Sequence, residues 1–275
     1  MSQAELEGQT LPRPRRRKDQ EGWWQKHGIS LVAVLVFLGL WQLSGLFLNP
    51  ILLSTPVAVI RDWFQIALNG YLFIGLLEGF REMLIGLFFG VVVGITVGIL
   101  MGRYQALDRI LSPYVNFFNA TPLIVIIPLV IIWIGITVNA RIFLVFMITL
   151  WPMLLNTVSG IKNVPKGYME VGQAFGFSER ELIRKVAIPA AVPYILAGAR
   201  VAAGLSIIGM IVGEMEISFF GLGMMLSTYG ASFQTGHFFA VVLTSSIFGI
   251  VNVSILKWIQ RRWFPWIAGT AGQNT

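Results

Sequence analysis

Cysteine is absent from all 275 residues, which excludes disulfides, thiol chemistry and Cys-rich metal sites. Histidine is nearly absent, with His27 and His237 far apart in the chain, so no His-based catalytic or metal constellation can be assembled. Charge is scarce as well. Asp, Glu, Lys and Arg make up 12% of the residues against 56% hydrophobic, whereas a soluble domain carries about a quarter charged residues. Such a chain is an integral membrane protein. Its runs are too long and too continuously apolar for barrel strands, which alternate with period two, so the expected fold class is all-α. Gly-x-x-x-x-Gly-Lys-Ser/Thr is also missing, so the chain has no nucleotide-cradling loop of its own and is not expected to be an enzyme. No cofactor or metal is expected.

Six apolar segments are readable, at about 29–48, 80–102, 113–135, 141–160, 190–213 and 238–258. The first is about 20 residues long, which fits an uncleaved spanning helix better than the short core of a signal peptide. The net charge of +7 is explained by topology and gives no reason to invoke nucleic acid. Of the 20 Lys and Arg residues, 16 fall on one side of a six-crossing arrangement, including Arg13, Arg15, Arg16, Arg17 and Lys18 of the basic tail. Arg61 and Arg141 are the clear cations of the opposite loops. The positive-inside rule then puts both termini and the 160–190 loop in the cytoplasm of a multi-pass cell (inner/plasma) membrane protein. Trp23, Trp24, Trp258, Trp263 and Trp266 flank the outermost crossings as an interfacial girdle in contact with lipid.

Two crossings carry unusual patterns. Gly86, Gly90, Gly94, Gly98 and Gly102 recur every four residues, a smooth stripe along which another helix can approach closely. Static packing is the simpler reading, and a sliding contact in a moving bundle is the functional one. In the third crossing Pro113, Pro122 and Pro128 each remove a backbone donor, so the helix must kink or break. Asn116, Asn119 and Thr121 lie near those breaks, making this segment either a pathway wall or a kinked scaffold.

The most informative stretch is the polar loop from Glu170 to Pro189. Residues 166–175 suit a short helix ended by Gly176 as a left-handed cap. Ser178 with Glu181 three residues on reads as a capping box that starts a second helix. Leu182, Ile183 and Val186 share one face of it, opposite Glu179 and Arg180. A helix, a glycine corner and a helix make a rigid knob able to transmit a push from a soluble partner.

Glu170, Gly176 and Pro189 match in spacing the "EAA" loop of ATP-binding-cassette (ABC) importer permeases, although Val171 and Gly172 replace its two alanines. Ile126-Ile-Pro128-Leu-Val-Ile-Ile-Trp133-Ile-Gly135 is similar to the Pro-Leu-x-Ile-x-Trp-Phe-Gly stretch of the nitrate/sulfonate/taurine branch. Gly198-Ala199-Arg200, Gly213-Glu214-Met215 and Gly221-Leu222-Gly223 resemble that branch's Gly-Leu-Arg, Ala-Glu-Met and Gly-Leu-Gly. The resemblance covers roughly residues 80–260. It implies an all-α, six-helix, type I importer permease with a cytoplasmic coupling helix. It also implies two ATPase subunits below the membrane, a second permease subunit (a homodimer is expected) and an extracytoplasmic solute-binding protein. Glu170, Ala174, Phe175, Gly176 and Pro189 would then be the ATPase-coupling residues, within a coupling loop at 161–189. The implied division is a basic tail (1–27), a first crossing with an external loop (28–79), the permease domain (80–260) and a cytoplasmic tail (261–275). The branch imports nitrate, bicarbonate, taurine, alkanesulfonates, aromatic acids or vitamin precursors. The Met215-Glu-Ile-Ser-Phe-Phe220 segment departs from the nitrate/bicarbonate pattern, which points to a sulfonate- or taurine-like organic anion or a heterocyclic vitamin precursor.

Candidate pathway residues are Asn119, Thr121, Arg200, Ser206 and Glu214. Arg200 either attracts an anion or, the preferred reading, lies near the cytoplasmic end paired with a carboxylate or carbonyl. Glu214 and Glu216 are read at the outer end of the fifth helix, facing a binding protein or simply solvated. Glu78, Arg81 and Glu82 are read as local helix pairs. A secondary transporter would need acids at midplane and an internal repeat, and neither is visible. A non-transporting membrane scaffold is the other rival.

Overall fold

In the computed structural model, residues 23–263 are described. The basic tail and Trp266 lie outside the described residues, as do the side chains of Trp23 and Trp24. The described chain is helical throughout: α1 (Trp23–Phe47), α2 (Pro56–Leu68), α3 (Tyr71–Arg103), α4 (Gln105–Ala120), α5 (Leu123–Ile134), α6 (Val138–Lys162), α7 (Lys166–Ala174), α8 (Glu179–Ile217), α9 (Leu222–Ala231) and α10 (Thr235–Trp263). Five of these are long and apolar enough to cross a membrane, and α4 with α5 supplies a sixth, broken span.

The central packing unit is α3 against α6, with α8 laid over both. Along α3 the glycine ladder meets a matching ladder on α6. Gly86 faces Val145, Gly90 faces Thr149, Gly94 faces Met153, Gly98 faces Thr157 and Gly102 faces Ile161. A Cβ at Gly86 or Gly102 would stand 2.6 Å from the facing Cβ, so the two backbones meet with no room for a side chain. In a bilayer, close dispersion contact of this kind holds helices together without a hydrophobic driving force. The hydroxyls in the seam are satisfied internally. Thr149 donates to the Val145 carbonyl and Thr157 to the Met153 carbonyl, both at 2.8 Å.

Several expectations change. The second crossing begins at Tyr71 rather than 80, so Glu78, Arg81 and Glu82 lie within α3. The third crossing is two helices bent by 102°. The break falls at Thr121–Pro122 because a residue before proline is pushed toward extended backbone, here φ −75° and ψ 122°. Pro113 and Pro128 sit inside α4 and α5 without ending them. The fifth crossing is continuous from Glu179, passing Pro189 through a π-wound segment, Leu182–Ala187. The wider turn lies where the proline ring would otherwise press on the carbonyl four residues back.

The expected loop after α1 contains α2, a short helix with Pro56 at its start and Thr55 Oγ1 accepting from the Ala58 amide at 3.3 Å. Trp63 of α2 donates to Thr244 of α10 at 2.9 Å. Val59 and Ile66 of α2 enter the core formed by Met83, Val145, Met210, Leu222 and Val241. By contrast α1 is almost wholly exposed along Gly28–Phe47, as suits a helix facing lipid. Trp41 anchors it by donating to the Ser54 carbonyl at 3.0 Å.

Candidate functional site

The polar loop folds as a rigid corner. α7 ends in a Schellman motif: the Gly176 N–H donates to the Gln173 carbonyl at 2.9 Å and the Phe177 N–H to Gly172 at 3.1 Å. Gly176 has φ +73°, the left-handed conformation that favours glycine. Ser178 then opens α8 through a capping box with Glu181, whose carboxylate accepts the Ser178 N–H at 3.0 Å. Gly172, which stands where the resembling family has alanine, is buried against Leu182, Phe177 and Val186. α7 is thereby clamped to the start of α8.

One charge pair fastens this corner to the bundle, and two more lie beside it. Arg103, the last residue of α3, donates to both Glu179 oxygens at 2.5 and 2.7 Å. Lys162 at the end of α6 reaches Asp108 of α4 at 2.6 Å. Lys185 pairs with Glu181 at 2.8 Å and lies 4.7 Å from the centre of the Phe177 ring. The outer face of α7 is left open. Tyr168, Val171 and Phe175, spaced by three and four residues, are 60%, 57% and 77% exposed. Glu170 and Ala174 are exposed beside them, and Pro189 is exposed on α8. The residues expected from the sequence, Glu170, Ala174, Phe175, Gly176 and Pro189, are thus exposed, and the helical spacing adds Tyr168 and Val171 to the same open face.

The expected pathway residues do not converge. Asn119 and Thr121 meet at the α4–α5 bend and line a cavity of about 190 Å³ with Trp151 and Leu205. Thr121 donates to the Phe117 carbonyl at 2.8 Å. Arg200, Ser206 and Glu214 are strung along α8, with about 20 Å of helix between the first and the last. Arg200 is exposed and reaches the Leu196 carbonyl of its own helix at 3.4 Å. Ser206 is buried and donates to Ala203 at 2.9 Å.

Glu214 is corrected from a loop charge to a buried residue of α8, 2% exposed. Its carboxylate accepts the Gly223 N–H at 2.8 Å and rests against Gly79 and Gly221, where a Cβ would collide with it. Arg141 and Glu82 are corrected too. They form one ion pair between α6 and α3, with Arg141 Nη2 and Nε donating to Glu82 at 2.5 and 2.7 Å. A further Arg141 N–H points to the Ile217 carbonyl at 3.5 Å. Both acids lie within helices, Glu82 about a third of the way along α3 and Glu214 in the last turn of α8, and neither is at the middle of its helix. An ionisable residue inside an apolar run demands a partner, a signal both residues carried. Among the described residues no group of three or more His, Cys, Asp or Glu could hold a metal ion.

The described residues thus form a polytopic helical bundle with a clamped, apolar-faced knob at one end. The model of the family "Binding-protein-dependent transport system inner membrane component" matches residues 90–265, and the chain belongs to that family: it is the inner-membrane permease component of an ABC importer. A Bacillus subtilis (strain 168) protein named as an aliphatic sulfonates transport permease, SsuC, is 28% identical over 88% of each chain. The riboflavin transport system permease RibX of Chloroflexus aurantiacus is 30% identical over 94% of this chain and 99% of its own. Among solved structures, a chain from the inward-facing MetNI methionine ABC transporter superposes with TM-score 0.61 at 22% identity, covering 70% of this chain and 94% of that one.

Proposed function

We propose that the chain forms the translocation pathway of an ATP-driven importer of a small organic solute, and that α7 is the helix through which ATPase subunits drive it. The observation that carries this is the open Tyr168, Val171 and Phe175 face on a knob held by the Schellman corner, the capping box and the Arg103–Glu179 pair. A mobile loop would absorb a push, whereas this one passes it to α3 and α8. In this reading α7 and both termini are cytoplasmic, in keeping with the Lys and Arg bias. Glu170, Ala174, Phe175 and Gly176 form the docking surface, and Pro189 lies just past the π-wound segment of the driven helix. Two ATPase subunits would engage two copies of the chain, and a solute-binding protein would deliver substrate at the opposite face.

Hydrolysis belongs to the partner, since the chain has no phosphate-cradling loop. The Asn119–Thr121 bend is the best-formed segment of pathway wall. The kinship with permeases named for sulfonates and for riboflavin supports a substrate that is either a sulfonate-like organic anion or a heterocyclic vitamin precursor. The test is affinity purification of the tagged chain from its own membranes, beside Gly176→Val. A Cβ at 176 meets nothing within 4 Å, so the valine acts through backbone strain alone, about 1–2 kcal/mol. Recovery of an ATPase with the wild type and its loss with the variant is expected. Folded protein that brings no ATPase in either form would overturn the reading.

A further inference from the structure

The face opposite α7 holds a pocket that the expected site residues leave unused. It lies where α2, the first residue of α3, the α8–α9 corner, α9 and the start of α10 come together, with a volume of about 280 Å³. Roughly 50 Å of α3 separates it from the Arg103–Glu179 pair. Two aromatic pairs form its walls. Tyr71 and Phe220 have ring centroids 6.3 Å apart, and Tyr229 and His237 are 5.0 Å apart. Met224 and Met225 add polarizable sulfur. Gln65 and Asn69 reach in from α2, each with an amide able to donate and accept.

Among the described residues no Asp, Glu, Lys or Arg lines the pocket, and His237 turns Nδ1 toward Asp62 at 3.6 Å. An anion would be desolvated there without a cationic partner, at a cost of several kcal/mol. A flat, uncharged ring system that stacks on aromatics and hydrogen-bonds the amides meets no such penalty. The volume falls just under the usual 300–1,000 Å³ of drug-sized sites, which suits one or two fused rings.

We infer that this pocket is a binding site for a small, uncharged, planar nitrogen heterocycle. The inference rests on the importer reading and narrows its substrate class. Gly221 both borders the pocket and lies against the Glu214 carboxylate, where a Cβ would stand 2.6 Å from Oε2. A ring bound in the pocket would lie against the corner joining α8 to α9.

The test uses 2-aminopurine, a flat fluorescent heterocycle quenched by stacking, titrated with the full chain in lipid nanodiscs. Saturable quenching is expected, reversed by adenine and untouched by taurine. Gln65→Ala, which truncates an exposed side chain, and Tyr229→Ala are expected to weaken binding at least about tenfold. Ile132→Ala, on an exposed face of α5, is expected to bind like the wild type. Melting curves identify any variant that fails to fold, and Gln65→Ala alone then decides. Absence of saturable quenching, equal affinity in Gln65→Ala, or displacement by taurine would each overturn the proposal. ATPase capture through α7 is read separately, so either reading can fail without the other.

Discussion

Replacing Arg141 by methionine isolates a buried ion pair between α3 and α6. The pair is desolvated, with the Arg141 and Glu82 side chains 13% and 8% exposed, and two donor contacts at 2.5 and 2.7 Å. Removing the arginine leaves the buried Glu82 carboxylate without its cationic partner, and breaking such a pair from one side costs about 3–5 kcal/mol. For a chain of this size that corresponds to a melting point lower by roughly 6–20 °C. Replacing both partners, Glu82→Met with Arg141→Met, removes the stranded charge along with the attraction and is expected to lie within about 1–2 kcal/mol of the wild type. Circular-dichroism melts at 222 nm in mild detergent, run on both single variants and the double, complete the mutant cycle. A single variant as stable as the wild type, or a double variant as unstable as the Arg141 single, would refute the claim that the cost comes from stranding one charge of the pair.

Other outcomes follow from the same geometry. Gly90→Leu forces a side chain into Thr149 and the Leu150 backbone and should cost at least about 1–3 kcal/mol in the same melts. Glu214→Leu leaves the buried Gly223 N–H without its acceptor and should cost about 1–3 kcal/mol. The Arg103–Glu179 pair is partly exposed, 29% and 46%. Glu179→Lys should therefore change stability by less than about 1 kcal/mol while uncoupling ATP hydrolysis from uptake, with coupling restored by the swap Arg103→Glu, Glu179→Lys. Gly172→Ala restores the family residue. Its Cβ would meet the mobile end of Leu182 at 2.7 Å, and helix propensity offsets this by up to about 1 kcal/mol, so ATPase capture should persist.

What could be read from the sequence was what is local or periodic. The Gly176 corner and the Ser178–Glu181 box depend on residues three or four apart, and the ladder from Gly86 to Gly102 repeats with the helix itself. The break at Pro122 was one of three equal proline signals, and only packing distinguishes it from Pro113 and Pro128. α2 is 13 residues long, too short to span, and its Thr55–Pro56 start was the one cue. Glu82 and Arg141 are 59 residues apart, so composition shows two charges in apolar runs but not that they meet. Glu214 falls beyond the fifth apolar run, which ends at residue 213, whereas α8 continues to Ile217 and the corner at Gly221 and Gly223 folds back over the carboxylate. The pocket opposite α7 draws on five separate elements and leaves no contiguous motif.

The central claim is that the exposed face of α7 docks a soluble ATPase, and a photo-crosslinking amino acid at position 175 tests it in intact membranes. The account predicts a light-dependent adduct with a cytoplasmic ATPase subunit from position 175 and none from the same probe at Ile132. An adduct pattern that is identical at the two positions, or a position-175 probe that captures only lipid while uptake continues, would contradict it.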